Sequence, residues 1–131
     1  MEPPSPRRFK ILVVDDDIDI REGLSELLKL SGYEVHTASS TFSALAILER
    51  ESVDLVITDI LMPGESGLSL IQEIKGRNND IKIICISGGG RDKGVGLLSI
   101  AQKLGATRVL IKPIPGEILL DTVEQLIHET G

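Results

Sequence analysis

Four stretches of this chain carry side chains able to do charge-based chemistry. "ILVVDDDIDI" (11–20) runs four apolar residues into Asp15, Asp16 and Asp17, with Asp19 just beyond. "LVITDILMPGESG" sets Asp59 after another apolar run and ahead of a Pro–Gly turn. "IICISGGG" presents Ser87 before three glycines, and "VLIKP" ends on Lys112 and Pro113. Carboxylates gathered in one place repel each other, and leaving them unpaired is costly. The simplest remedy is a hard divalent cation. Mg2+ takes oxygen ligands, binds through one or two carboxylates and keeps waters and phosphate oxygens. A lysine beside the metal is a second counter-charge for an anion. An acidic site with Mg2+ and lysine suits a phosphoryl group, whose transfer depends on positioning and charge neutralisation.

These residues meet only if the elements carrying them converge. Strands are predicted over Lys10 to Val14, Glu34 to Ala38, Asp54 to Thr58, Lys82 to Ile86 and Arg108 to Lys112. Most are nearly continuous in Ile, Leu and Val, as parallel strands buried on both faces must be. "EVHTA" alternates and reads as an edge strand. Between the strands the apolar period becomes helical. Ile20, Leu24, Leu27 and Leu28 share a face of the first helix, which Ser31–Gly32 ends. Phe42, Leu45 and Leu48 mark a second, and Leu68, Ile71 and Ile74 a third that stops near Gly76. Leu97, Leu98, Ala101 and Leu104 mark a fourth closed by Gly105, and Ile118, Thr122, Val123 and Leu126 a fifth. Five strand–helix units with right-handed crossovers make one doubly wound α/β domain, a five-stranded parallel sheet with five helices in three α/β/α layers. Ligands in such folds sit beyond the carboxyl ends of the strands. That is where Asp15, Asp16, Asp59, Ser87 and Lys112 fall.

Composition agrees. At 131 residues the chain makes one domain, with residues 1–8 a flexible lead-in rich in proline and residues 9–131 the folded unit. Aromatics are 2%, so aliphatic side chains must fill the core. The net charge of −6 disfavours direct nucleic-acid binding, which needs basic surface. No apolar run approaches the ~20 residues that cross a bilayer, and "MEPPSPRRF" lacks the apolar core of a signal peptide, so no membrane partner and a cytoplasmic location are expected. Cys85, the one cysteine, excludes an internal disulfide and is expected to be buried and inert.

The ordered set "LVVDDD", "LVITDILMPGESG", "IICIS" and "VLIKP" resembles the receiver domains of response regulators in two-component signalling, from about Phe9 to His128. The resemblance implies strand order 2-1-3-4-5. It makes Asp59 the phosphoacceptor, with Asp16 binding Mg2+ directly, Asp15 mainly through water, and the backbone carbonyl of Leu61 a further ligand. Ser87 would turn its hydroxyl to the phosphoryl group, Lys112 would pair with it, and the Lys112–Pro113 bond would be cis. The donor would be a sensor histidine kinase or a histidine phosphotransfer protein. The output would be a downstream effector met by the fourth helix, fifth strand and fifth helix, a face also available for a homodimer. The chain would be a signalling protein, catalysing only its own phosphorylation and dephosphorylation. No output domain is expected within it.

Other roles compete for some of these residues. Asp17 fits a helix N-cap and Asp19 the first helical turn, where acids are favoured. Asp15, Asp17, Asp19 and Glu26 match four positions of a calcium loop, but Ile20 stands where that loop needs glycine. His36 and His128 lack metal-ligand spacing and read as structural or exposed; Met62 reads as packing and Arg7 and Arg8 as solvated. Gly88 is placed to offer its N–H to the phosphoryl group. Two features depart from the family: Val109 stands where it often has an aromatic, and 87–105 is long and rich in glycine. Asp15-x-Asp17 also resembles the nucleophile motif of haloacid-dehalogenase-type phosphatases, the alternative function, but that reading leaves Asp59 unused. A flavodoxin-like FMN carrier fits less well, since the first loop is acidic and the chain has no tryptophan.

Overall fold

Runs of Ile, Leu and Val set the frame of the computed structural model, which describes residues 9–62, 65–77, 80–87 and 99–128. The strands are β1 (Lys10–Val14), β2 (Glu34–Ala38), β3 (Leu55–Asp59), β4 (Leu61–Met62), β5 (Glu65–Ser66), β6 (Lys82–Ser87) and β7 (Arg108–Ile111). The helices are α1 (Ile18–Leu30), α2 (Thr41–Arg50), α3 (Gly67–Arg77), a helical segment at 99–104 (α4) and α5 (Gly116–His128). The main sheet runs β2-β1-β3-β6-β7, all pairs parallel. Counting its strands in chain order, this is the 2-1-3-4-5 arrangement. β4 and β5 form a separate antiparallel ribbon just after β3.

Alternate residues of each strand supply two cores. One face packs Leu12, Val56, Ile83 and Cys85 against Ala44 of α2, Leu70, Ile71 and Ile74 of α3 and Ala101 of α4. The other packs Ile11, Val13, Ile57 and Ile84 against Leu28 of α1 and Leu119, Val123 and Leu126 of α5. The largest fully buried side chains are all Ile or Leu, as the scarcity of aromatics requires. Each such side chain contributes about 1.5–3 kcal/mol by leaving water.

Local signals end the helices as expected. Tyr33 N–H donates to Leu28 O and Gly32 N–H to Lys29 O, with Gly32 at φ 98°; the left-handed turn closes α1 in a Schellman motif. Gly105 (φ 122°) closes α4 in the same way, through Ala106 N–H to Ala101 O. Two helical faces differ from the sequence expectation. Phe42 is 84% exposed. The face of α2 that meets the sheet is centred on Ala44, Ile47 and Leu48, and Phe42 lies about 165° round the helix from it. Ile118 is 47% exposed, because the buried stripe of α5 runs through Leu119, Thr122, Val123 and Leu126, and Ile118 sits on its flank. Leu97, Leu98 and Gly88–Gly90 lie outside the described residues.

The strand ends also shift by a residue. β3 begins at Leu55 and takes in Asp59, since Asp59 pairs with Ile86 across the sheet. β6 takes in Ser87, while β7 stops at Ile111 and leaves Lys112 just beyond it.

Cys85 is fully buried between β3 and β7. Burial, aided by the charge of Asp59, pushes its thiol up to about 12. Because the thiolate is the reactive species, native protein should not react with iodoacetamide at neutral pH, whereas urea-unfolded protein should react fully. Mass spectrometry of the two samples checks this.

Candidate functional site

The sheet order determines what can meet at the carboxyl ends. β3 lies between β1 and β6, so Asp59 stands between the acidic end of β1 and the end of β6. β7 is the next strand out, and Lys112 must reach inward from it across the rim.

Asp15 directly follows β1 and is 1% exposed. Its N–H donates to Ala38 O (3.1 Å), and its Oδ1 accepts from Asp17 N–H (2.9 Å). Its carbonyl accepts from the guanidinium of Arg21 (2.7 Å). These bonds leave Oδ2 facing the rim. Asp16 is exposed. Asp17 caps α1, its carboxylate accepting from Asp19 N–H and Ile20 N–H, and Asp19 lies in the first turn. The acidic run therefore divides: Asp15 and Asp16 border the rim, and the Asp17 carboxylate is committed to the helix.

Asp59 is 6% exposed at the end of β3. The chain just after it is anchored by Ile60 N–H to Ile86 O (2.9 Å), and Gly67 N–H returns to Ile60 O (2.8 Å). A Cβ at Gly67 would overlap the carbonyl oxygen of Asp59 and lie 3.0 Å from Cα of Ile60. Only glycine lets α3 start this close to the acidic residue. Ser87 is buried at the end of β6, and its carbonyl accepts from Lys112 N–H (2.8 Å). The Lys112–Pro113 peptide is cis.

Lys112 Nζ lies 2.9 Å from Asp59 Oδ2 and 3.2 Å from Asp15 Oδ2, bridging two buried carboxylates. Burial raises the pKa of Asp15 above the usual carboxylate range; the Asp17 amide and Lys112 oppose this without cancelling it, and the charge of Asp59 adds to it. Burial pulls Lys112 down, but the hydrogen bond and charge of Asp59, with the charge of Asp15, outweigh that, so its ammonium is held above its ordinary value. One ammonium thus faces two buried carboxylates, with Asp16 nearby. Oxygens of Asp15, Asp16 and Asp59 lie within 4.8 Å of one another. That donor set, all oxygen and negatively charged in sum, fits a hard cation. Leu61, two residues past Asp59, opens β4.

Removing the ammonium tests this balance. Lys112→Met leaves Asp15 and Asp59 facing each other without a counter-charge, which should lower stability in the absence of metal by about 1–3 kcal/mol. Millimolar Mg2+ should restore most of that loss and stabilise the variant more than the parent. Urea unfolding of both proteins, with Mg2+ and with chelator, measures the difference.

A groove of about 500 Å3 opens beside this rim, between α1 and the turn after β7, with Ile86, Leu24 and Ile114 among its lining residues. Lys112 also lines it, so the groove adjoins the acidic site.

Sequence reading assigned no role to Arg21 or Gly67. Arg21 lies four residues past the N-cap, where a long side chain can fold back over the preceding loop. The glycine closing "MPGESG" carried a weaker signal, since a turn alone would account for it.

Comparison with known proteins places this geometry among relatives. Residues 11–124 match the family model described as the response regulator receiver domain. The chain is 37% identical over 123 residues to the response regulator protein FleR of Pseudomonas aeruginosa, covering 93% of this chain and 25% of FleR. It spans about half the length of two further curated relatives. Among solved structures it superposes on a response regulator receiver domain protein from Clostridium thermocellum with a TM-score of 0.84, at 35% identity over 92% of this chain and 94% of that one. The receiver domain of NtrX from Brucella abortus gives a TM-score of 0.86, at 33% identity over 92% of this chain and 99% of that one.

Proposed function

This chain belongs to the response regulator receiver family of phosphorylation-based two-component signalling, and we propose that Asp59 is its phosphoacceptor. The donor is a phosphohistidine on a sensor histidine kinase or a histidine phosphotransfer protein. The observation that carries this reading is the Lys112 ammonium held across Asp59 and Asp15 at the carboxyl ends of the sheet. A carboxylate oxygen of Asp59 bonds to phosphorus as the bond from phosphorus to the donor imidazole breaks, and the imidazole nitrogen keeps the electron pair. Asp15, Asp16, Asp59 and the Leu61 carbonyl would hold Mg2+, which when bound neutralises charge on the transferred phosphoryl group. Lys112 pairs with one phosphoryl oxygen, and the Ser87 hydroxyl donates to another.

The added group carries a charge near −2. It competes with Asp15 for Lys112, and the backbone bond from Lys112 to Ser87 ties the ends of β7 and β6 to that competition. The outcome is a shift in an existing equilibrium of α4 and β7 toward a state that binds the effector. Ile100 of α4, Ile111 of β7 and Ile118 of α5 are about half exposed, which supports this face as the output surface and as a homodimer contact. With Val109 in place of an aromatic, backbone and helix movement carries the readout. Among the described residues no helix is long and apolar enough to cross a membrane.

Incubation with a small acyl phosphate and Mg2+ tests the proposal. One phosphoryl group per chain should appear, in the peptide that holds Asp59, and chelation should prevent it. Uptake on Ser87 or a histidine, or undiminished uptake after chelation, would overturn the assignment.

A further inference from the structure

At the amino ends of the strands, opposite the acidic rim, a second cluster joins residues distant in sequence. Glu34 and His36 are two apart on β2 and so project from the same side of the strand. Glu51, the C-cap of α2, reaches the same place. His36 Nε2 lies 3.1 Å from Glu34 Oε2 and 3.8 Å from Glu51 Oε1. One ligand atom from each of the three falls within 4.8 Å of the others. Zinc–nitrogen and zinc–oxygen bonds of about 2.0–2.2 Å give tetrahedral edges of about 3.3–3.6 Å. The two measured separations bracket that value, so only small side-chain adjustments are needed.

We propose that Glu34, His36 and Glu51 form a binding site for a divalent transition metal of the zinc class, with a fourth position open to solvent. Several features support it. An imidazole with two carboxylates suits Zn2+ and disfavours Mg2+, which takes oxygen ligands. All three side chains are partly exposed, so an ion can enter. The site already attracts a cation: Lys10 Nζ lies 3.1 Å from Glu51 Oε1 and 3.7 Å from Glu34 Oε2. Lys10 is therefore the internal competitor, and its flexible stem lets the ammonium swing out as the metal enters. Bound metal would tie the edge strand β2 to the end of α2.

Calorimetric titration of the whole chain with Zn2+, in saturating Mg2+ to occupy the acidic rim, tests this without reference to phosphorylation. The parent should bind one Zn2+ with micromolar affinity and show a higher unfolding temperature. His36→Gln should weaken binding roughly thirtyfold or more, and Lys10→Met should tighten it about tenfold, since it removes the competing charge. The proposal fails if His36→Gln binds zinc as the parent does, or if Lys10→Met leaves the affinity unchanged. It also fails if Asp16→Asn abolishes binding, because the ion would then sit on the acidic rim.

Discussion

Asp59→Asn should reduce phosphoryl uptake from a small acyl phosphate to background while leaving the fold at least as stable as the parent. The two halves of this result have separate causes. Asparagine is nearly isosteric with aspartate and keeps an oxygen able to accept from Lys112, where Asp59 Oδ2 now lies 2.9 Å from Nζ. It lacks the anionic oxygen that must bond to phosphorus, and an amide is a far weaker nucleophile. On stability, the substitution removes one of two buried carboxylates that share a single ammonium, and with it the Asp59 charge that adds to burial in raising Asp15. Stability without metal should hold within about 0.5 kcal/mol or rise, while Mg2+ affinity should fall. Intact-mass measurement after incubation with donor, alongside urea unfolding, reads both. Uptake persisting at the parental level would transfer the acceptor role to another group. A loss of several kcal/mol would mean that Asp59 is chiefly a structural anion.

Gly67→Ala should be the most damaging of the conservative substitutions near the site, at about 2–4 kcal/mol. The cause is contact with main chain, not backbone conformation, since Gly67 is not among the glycines with positive φ. The added methyl would overlap the Asp59 carbonyl oxygen and lie 3.1 Å from the Asp59 carbonyl carbon. These atoms cannot rotate aside as a side chain can. They belong to the last residue of β3, so any relief moves the peptide that positions the acceptor carboxylate. Mg2+ affinity should therefore fall along with the urea midpoint. Gly76→Ala, on the same helix with nothing within 4 Å of its Cβ position, is the control. It should be neutral or stabilising by up to about 1 kcal/mol. Equal effects of the two substitutions would show that the close approach of α3 to Asp59 is unimportant.

Much of this molecule is legible in one dimension. Strands buried on both faces must be continuous apolar runs, so "ILVV", "LVIT" and "IICI" mark themselves, and the polar residues that follow stand at strand ends. Helix boundaries at Asp17, Gly32 and Gly105 follow from capping chemistry, which needs only local sequence. Helical faces were less legible. Spacing groups Phe42 with Leu45 and Leu48; those two pack on the core with Ala44 and Ile47, and Phe42 alone faces away.

By itself, then, the sequence determined which side chains stand at the rim, because the end of an apolar run and the start of a polar one are local facts. Only the tertiary structure decided how they divide the charge. Lys112 meets Asp15 across 97 residues and Asp59 across 53. Both contacts depend on the order and register of parallel strands, set by crossovers that pack helices on both faces. The same holds at the opposite end, where Lys10, Glu34, His36 and Glu51 share no spacing that signals a cluster. They meet because β2 pairs beside β1 and the end of α2 returns to that edge. Electrostatic partners are chosen by distance in space, and that distance is established only once the sheet has formed.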